Sequence, residues 1–265
     1  MSSVSAIVIT RNEEANIEGC LSTLAWADEI VVLDSYSDDH TYDLSLKYTE
    51  KVFKRKFTTF AEQRNAALDL AERDWAFFLD ADERVTLELA EEIRRVVDGS
   101  KGDASYENKV GYWVPRQNYI LGQWVKHAGW WPDYQMRLFL RDKGRYDADL
   151  DPHEVVVLNG GEAYLTSHLV HYNYTSLKQI ILKQLAYAER EASTLRRTGV
   201  RNKGRWLVSR PLREFYFRYI ALKGYKAGWL GLLLCLIMAW YRLMVHIKLA
   251  KSGTGIVETI PKAKA

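Results

Sequence analysis

The chain has 265 residues, enough for one substantial domain, or one domain with an appendage, and for a sizeable buried core. Hydrophobic residues make up 48% and charged ones 27%, with only 5 prolines, which argues against collagen-like, low-complexity and wholly transmembrane architectures. The net charge of +3 hides a polarity along the chain: residues 1–99 carry 11 basic against 21 acidic side chains, 100–177 carry 8 against 9, and 178–265 carry 18 against 4. The two cysteines, Cys20 and Cys235, lie far apart without metal-ligand spacing, which fits a reducing compartment better than a disulfide scaffold or a structural zinc site. The start of the chain enters an apolar run at Val4 with no basic stretch and no small-residue cleavage site, so a cytoplasmic body is expected.

In chain order, residues 4–10 are β-rich and apolar, 12–24 place Ile17, Leu21 and Leu24 at helical spacing, and 29–33 form a second buried run. That is a βαβ unit. A turn-rich loop follows at 34–39, a helix-compatible stretch at 41–48, a short strand at 51–53, a helix at 58–72 and a third apolar run at 75–79. Short apolar strands separated by helices predict a parallel sheet covered on both faces, with ligands beyond the carboxyl ends of its strands. Three polar clusters fall at those ends: 10–14, 34–39 and 80–83.

Asp80 and Asp82, at i and i+2 after a buried strand, can converge on one hard cation, Mg²⁺ or Mn²⁺, that shares its shell with substrate phosphates. The plainer reading makes these acids caps for a helix beginning near Thr86. Asp34 could accept from a nucleobase or ribose hydroxyl, or else close an Asx-turn. Asn12 could face the same crevice or cap a helix.

Thr10-Arg11-Asn12-Glu13-Glu14, Asp34-Ser35-Tyr36-Ser37-Asp38-Asp39-His40-Thr41, Gln63-Arg64-Asn65 and Leu79-Asp80-Ala81-Asp82-Glu83 resemble, in order, the motifs of family 2 glycosyltransferases. The pattern is most similar to the bacterial subgroup that includes lipopolysaccharide core β-glucosyltransferases. The resemblance is strong over 4–98 and continues weakly to about 250. It implies the GT-A fold, a Rossmann-like mixed sheet flanked by helices. Thr10, Asn12 and Glu13 would then line the donor nucleotide pocket, Asp34 would contact uracil or ribose, Arg64 would lie near the diphosphate, and Asp80 and Asp82 would form the metal-binding pair. Tyr36 departs from the family, which usually has glycine there.

An inverting transfer needs a carboxylate to deprotonate the acceptor hydroxyl. Glu154, in Asp151-Pro152-His153-Glu154, is the candidate, with Asp149 and Asp151 in reserve; a surface carboxylate at a strand entry is the plainer alternative. The resemblance supports Glu154, because the subgroup carries His-Glu where other members have an acidic catalytic motif. His171 could complete the metal site through its neutral imidazole or be satisfied by a backbone partner. Trp131, Arg137 and His153 are expected at the acceptor or diphosphate, although part of the tryptophan-rich 130–135 stretch also suits core packing.

The tail reads as a long helix at 176–195, a basic hinge at 199–204, and an aromatic amphipathic stretch at 212–219 of the kind that lies in an anionic lipid interface or packs on protein. Residues 229–241 are uncharged but span only about 20 Å as a helix, against roughly 30 Å of hydrocarbon. A re-entrant or interfacial hairpin is preferred there over a true span. The organisation expected is a catalytic domain at 1–175, with a donor half at 1–98 and an acceptor half at 99–175, a basic helical membrane-associating extension at 176–252, and a flexible tail at 253–265.

The leading functional expectation is a metal-dependent inverting glycosyltransferase moving a sugar, glucose by resemblance, from a UDP-sugar donor to a lipid-linked or lipopolysaccharide-core acceptor. Its expected cofactor is Mg²⁺ or Mn²⁺. It would sit on the cytoplasmic face of a bacterial inner membrane, peripheral or monotopic, bind no nucleic acid, and leave a homo-oligomer open. A nucleotidyltransferase is the enzymatic alternative, weakened by the lack of a glycine-rich, lysine-containing loop after the first strand. A non-catalytic membrane-binding module is the alternative of another class.

Overall fold

β1 (Val4–Thr10) lies inside the parallel part of the molecule's sheet because its side chains are almost wholly apolar and face helices on both sides. It pairs in parallel with β2 (Glu29–Asp34) on one flank and β4 (Trp75–Asp80) on the other. β3 (Val52–Lys54) extends the parallel edge beside β2. The computed structural model describes residues 2–99, 108–147, 155–200 and 202–251.

Alternation along these strands builds two hydrophobic layers. Val4, Ala6, Val8, Val32, Phe77 and Leu79 face α1 (Ile17–Ser22) and α4 (Leu87–Val97), where Ile17, Leu21, Leu89 and Ile93 are fully buried. Ile7, Val31, Leu33, Ala76 and Phe78 face α3 (Phe60–Leu70) through Ala61, Ala67 and Leu68. Each buried Leu or Ile contributes about 1.5–3 kcal/mol, so all three helices are held by their apolar faces rather than by intrinsic propensity.

Beyond β4 the sheet turns antiparallel. β8 (Asp133–Leu140) pairs with β4 and with the long β6 (Lys109–Ile120), and the strand order is β3-β2-β1-β4-β8-β6, continued by β12 (Leu169–Tyr174) and the short β5 (Glu83–Val85). β7 (Gln123–Trp124) and β11 (Gly161–Tyr164) also pair with β6, while β9 (Gly144–Tyr146) and β10 (Val156–Leu158) form a separate two-stranded ribbon. The result is a mixed sheet flanked by helices, the GT-A arrangement.

Several elements are shorter than the sequence pattern predicts. Helix α1 begins at Ile17 rather than residue 12 because residues 12–14 are bonded to the loop after β2. α2 is only Thr41–Ser45. α4 is capped by its own Thr86, whose hydroxyl accepts from the Leu89 amide at 3.2 Å, so Asp80–Glu83 are not its caps.

The chain divides into two compact units, Met1–Lys126 with Trp130–Asn173, and His127–Gly129 with Tyr174–Ala265. In the second, α5 (Leu177–Arg197) starts at Ser176, whose side chain accepts from the Gln179 amide. α6 (Trp206–Tyr216) runs into a π-helical turn, Phe217–Ala221, and a single 3₁₀ turn, Gly224–Ala227, leads to α7 (Gly228–Lys251). Instead of the expected hairpin, α7 is one unbroken helix. Arg242, which ends the uncharged stretch, and Lys248 are paired at 2.5 and 2.6 Å with Glu191 and Glu189 of α5. Gly231 lets α7 leave the 3₁₀ turn closely: a β-carbon there would lie 2.0 Å from the Gly224 carbonyl oxygen.

Candidate active site

Three acidic or hydroxylic strand ends meet because their strands are in register. Thr10 is opposite Asp34 across β1 and β2, and Ile9 is opposite Asp80 across β1 and β4. Thr10 Oγ1 is buried and makes no hydrogen bond among the described residues, which leaves a hydroxyl ready for a ligand at this edge.

The two loops leaving β1 and β2 are stitched together. The Asn12 amide donates to Ser37 Oγ at 2.9 Å and Asn12 Oδ1 accepts from the Asp38 amide at 2.8 Å. The Glu13 amide donates to Thr41 Oγ1, its carboxylate accepts from Asn16, and the His40 amide donates to Glu14. Asp34 is fully buried and closes an Asx-type turn: Oδ2 accepts from the Ser37 amide at 2.9 Å and Oδ1 from the Ser37 hydroxyl. Each Asp34 oxygen thus already accepts one bond. Tyr36, inside this turn, adopts φ 56°, the left-handed conformation for which glycine is suited.

Gln63, Arg64 and Asn65 point from α3 in three directions and tie three parts of the site together. Gln63 Nε2 donates to Ser35 Oγ at 3.0 Å, Arg64 Nη2 to Asp80 Oδ1 at 2.9 Å, and Asn65 exchanges two hydrogen bonds with the Tyr146 backbone. Asp80 Oδ2 accepts from Arg137 Nη2 at 2.5 Å, and the same nitrogen lies 2.6 Å from Oε1 of Glu83, which is wholly buried. Arg116 joins Glu83 to Asp133, at 3.3 and 2.7 Å. Burial opposes ionisation of Asp80, but the adjacent guanidinium groups of Arg137 and Arg64 outweigh it and hold the carboxyl far below the usual carboxylate range. Asp133 is also lowered, against its burial, by Arg116, Asn118 and Gln135.

These arginines border a cleft of about 430 Å³ whose wall includes Arg64, Asp80, Arg116, Arg137, Trp113 and Tyr134. Val155 and Val156 also line it. Glu154 adjoins that wall in sequence but, with His153 and the reserve candidates Asp149 and Asp151, lies outside the described residues. Trp131 is not part of the cleft wall; it packs edge-on against Trp124 and His168, at centroid distances of 5.7 and 6.0 Å.

Asp82 has partners other than those of Asp80. Its backbone carbonyl accepts from the Tyr172 amide at 2.9 Å, docking it on β12, and its Oδ2 lies 3.4 Å from His171 Nε2. A carboxylate oxygen and an imidazole nitrogen this close suit a divalent ion that completes its shell with phosphate and water oxygens. No group of three or more His, Cys, Asp or Glu side chains among the described residues forms a ready-made cage. The Asp82–His171 pair is what fits such an ion, as two ligands of a shell shared with substrate. Sequence reasoning brought Asp82 and His171 forward as candidates, but not Asn118, which touches His171, nor Arg116 and Asp133 as the residues linked to it.

Acidic strand exits beside an arginine-lined cleft on such a sheet are the arrangement of a GT-A glycosyltransferase. The Glycosyl transferase family 2 model matches residues 5–152, more than half of the chain, and the chain belongs to that family. It is a glycosyltransferase, which sets aside the nucleotidyltransferase and non-catalytic alternatives. It is 29% identical over 253 residues, 93% of this chain and 91% of the relative, to the lipopolysaccharide core biosynthesis glycosyltransferase LpsC of Rhizobium meliloti (strain 1021). An uncharacterized glycosyltransferase of Rickettsia felis (strain ATCC VR-1525 / URRWXCal2) is 25% identical, covering 100% of this chain and 95% of its own. Among solved structures, the mannosyltransferase PcManGT from Pyrobaculum calidifontis, in complex with GDP-Man and Mn²⁺, shares the fold at a TM-score of 0.56 and 15% identity, over 94% of this chain and 87% of that one.

Proposed function

We propose that this glycosyltransferase is metal-dependent and inverting, and that it transfers glucose from a UDP donor to a hydroxyl of a lipid-linked or lipopolysaccharide-core glycan. The observation that carries this reading is the meeting of Thr10, Asp34 and Asp80 at adjacent strand exits, with Asp80 paired to Arg64 and Arg137 and Asp82 facing His171. LpsC, similar along nearly its whole length, supports the lipopolysaccharide-core acceptor.

In this reading Thr10, Asn12, Glu13 and the Asp34 turn receive the nucleoside. Arg64 and Arg137 hold the diphosphate through the planar donors they now present to Asp80. Asp82 and His171 hold Mn²⁺ or Mg²⁺, and Asp80, whose oxygens both face guanidinium groups, orients those cations. The bound ion supplies charge neutralisation for the departing diphosphate. Glu154 takes the proton from the attacking hydroxyl on the face opposite the leaving group. PcManGT, captured with a sugar nucleotide and Mn²⁺, offers a precedent for such use of the fold.

The second unit supports action at the cytoplasmic face of a membrane. Val208, Leu212, Tyr216, Phe217, Ile220 and Trp229 are all 46–64% exposed, and the exposed Arg213, Lys223 and Lys226 lie among them in the sequence, with Arg205 just before. Apolar and aromatic groups mixed with basic ones suit an anionic lipid interface. The 27 residues Gly224–Ala250 are long and apolar enough to cross a bilayer, but ion pairs from Arg242 and Lys248 to α5 favour a peripheral or monotopic attachment.

The test is UDP release from UDP-glucose, with extracted core glycolipid as acceptor and Mn²⁺ or Mg²⁺ added. Asp82→Ala is expected to lower kcat/KM about a hundredfold or more, since a ligating carboxylate supports several kcal/mol of charge stabilisation. Unchanged turnover in that variant rejects the metal-dependent mechanism. A strong preference for another sugar nucleotide rejects glucose alone.

A further inference from the structure

Behind the Asp82–His171 pair lies a buried polar chain with no counterpart in the sequence motifs. Asn118, near the end of β6, is fully buried. Its Nδ2 donates to two obligatory acceptors, the Trp130 carbonyl at 3.1 Å and Asp133 Oδ2 at 3.0 Å. Arg116 clamps the same Asp133 oxygen through Nε and Nη2, at 3.0 and 2.7 Å. The amide orientation is therefore settled by its partners: the atom that faces His171 Nδ1, at 2.6 Å, is the acceptor Oδ1. Asn173 Nδ2, at 3.5 Å, also donates toward Oδ1.

We propose that Asn118 is a positioning residue that holds His171 with its proton on Nδ1, so that the neutral ring presents its Nε2 lone pair toward Asp82. An oxygen acceptor at 2.6 Å demands a hydrogen on Nδ1, and a neutral imidazole has only one. His171 is 7% exposed, so water offers little competition for either nitrogen. Arg116 and Asp133 belong to the same device: by fixing Asn118 Nδ2 they keep the amide from flipping, which would set Nδ2 against Nδ1 and reverse the tautomer. Metal-ligating histidines are commonly oriented in this way through their second nitrogen, and losing the orienting partner typically costs about 10–100-fold in metal affinity. The proposal rests on the metal-holding role given above to Asp82 and His171.

The tautomer can be seen without metal or activity. In the metal-free full chain labelled with ¹⁵N-histidine, long-range ¹H–¹⁵N spectra in alkaline buffer distinguish the two nitrogens, and the His171 signals among the six histidines are those lost in His171→Gln. Wild type is expected to carry its proton on Nδ1, whereas Asn118→Leu is expected to show a mixture of both forms. Titration of Mn²⁺ in the presence of UDP, followed by electron paramagnetic resonance, is expected to weaken about 10–100-fold in Asn118→Leu. A wild-type ring protonated on Nε2 overturns the proposal by itself, even if Asn118→Leu does not fold. So does a folded Asn118→Leu with the wild-type tautomer and Mn²⁺ affinity. If His171→Gln loses Mn²⁺ affinity and Asn118→Leu does not, only the positioning role fails. If neither His171→Gln nor Asp82→Asn changes it, the metal reading itself falls and takes the proposal with it.

Discussion

The cleft of the first unit and the helices of the second are both laced with arginine–carboxylate pairs, but burial gives those pairs different weight. In the cleft, Arg137 and Glu83 are 5% and 0% exposed and share a network with Asp80, Arg64 and Arg116. In the helical unit, Arg242 and Glu191 are 36% and 32% exposed, and the large apolar side chains of α6 are what face outward. Charge inside and apolar surface outside invert the usual arrangement in each place. In the function proposed above, the first serves a charged ligand and the second a lipid surface.

The sharpest way to break this comparison is to remove one arginine from each network. Arg137→Met leaves Asp80 and the buried Glu83 without their principal cation and is expected to cost about 3–5 kcal/mol in urea unfolding. Arg242→Met, in a solvated pair, is expected to cost no more than about 1 kcal/mol. Equal losses in the two variants would show that burial does not separate the networks.

The outward apolar face is tested next, by flotation with vesicles containing phosphatidylglycerol. Leu212 and Tyr216 are 64% and 62% exposed, and immersing each is worth a fraction of the roughly 1.5–3 kcal/mol of full burial. Leu212→Glu with Tyr216→Glu is expected to weaken partitioning at least about tenfold while UDP-sugar turnover without acceptor is retained. Undiminished flotation would mean that this face serves another purpose.

Acid should affect the first unit through its depressed carboxyls. Asp80, Asp133 and Glu29 all ionise below their ordinary range although burial opposes it, because arginine, lysine and hydrogen-bond donors surround them. The unfolded chain therefore binds more protons than the folded one as pH falls below about 4.5. Stability from these groups is complete at neutral pH and is lost progressively as pH falls through their folded values. The urea midpoint is expected to hold between about pH 7 and pH 5 and to drop between about pH 4.5 and pH 3. A flat midpoint across the acid range would contradict the ionised network.

How much of this was legible follows from where each signal lies. The parallel core strands announced themselves as apolar runs ending in polar clusters, and the sequence alone places Asp34, Asp80 and Asp82 at strand ends on a common edge. The antiparallel half was opaque, because β6 mixes Arg116, Gln117 and Asn118 into an otherwise buried strand and no local spacing says which partners satisfy them. Asn118 in particular is a lone amide whose meaning comes from residues 12, 15 and 53 positions away. A buried polar residue in a central strand was the available signal. The continuity of α7 was hidden for the opposite reason: Arg242 ends the uncharged stretch and looks like a boundary until its acidic partner on another helix is known.

Tyr36 tests the finest point of the comparison, whether the loop of the first unit is tuned for stability or for its ligand. A non-glycine residue at φ 56° costs about 1–2 kcal/mol, part of which Tyr36→Gly would return to the greater freedom of an unfolded glycine. The expected net gain is up to about 1 kcal/mol, read as a higher denaturant midpoint. The tyrosine ring is 56% exposed and contributes little to the core, so packing loss does not offset that gain. Strain retained at a functional edge with no packing return marks a side chain kept for contact. Tyr36→Gly is therefore expected to raise stability and KM for the donor together. A stabilised variant with unchanged KM would leave the tyrosine as tolerated strain and nothing more.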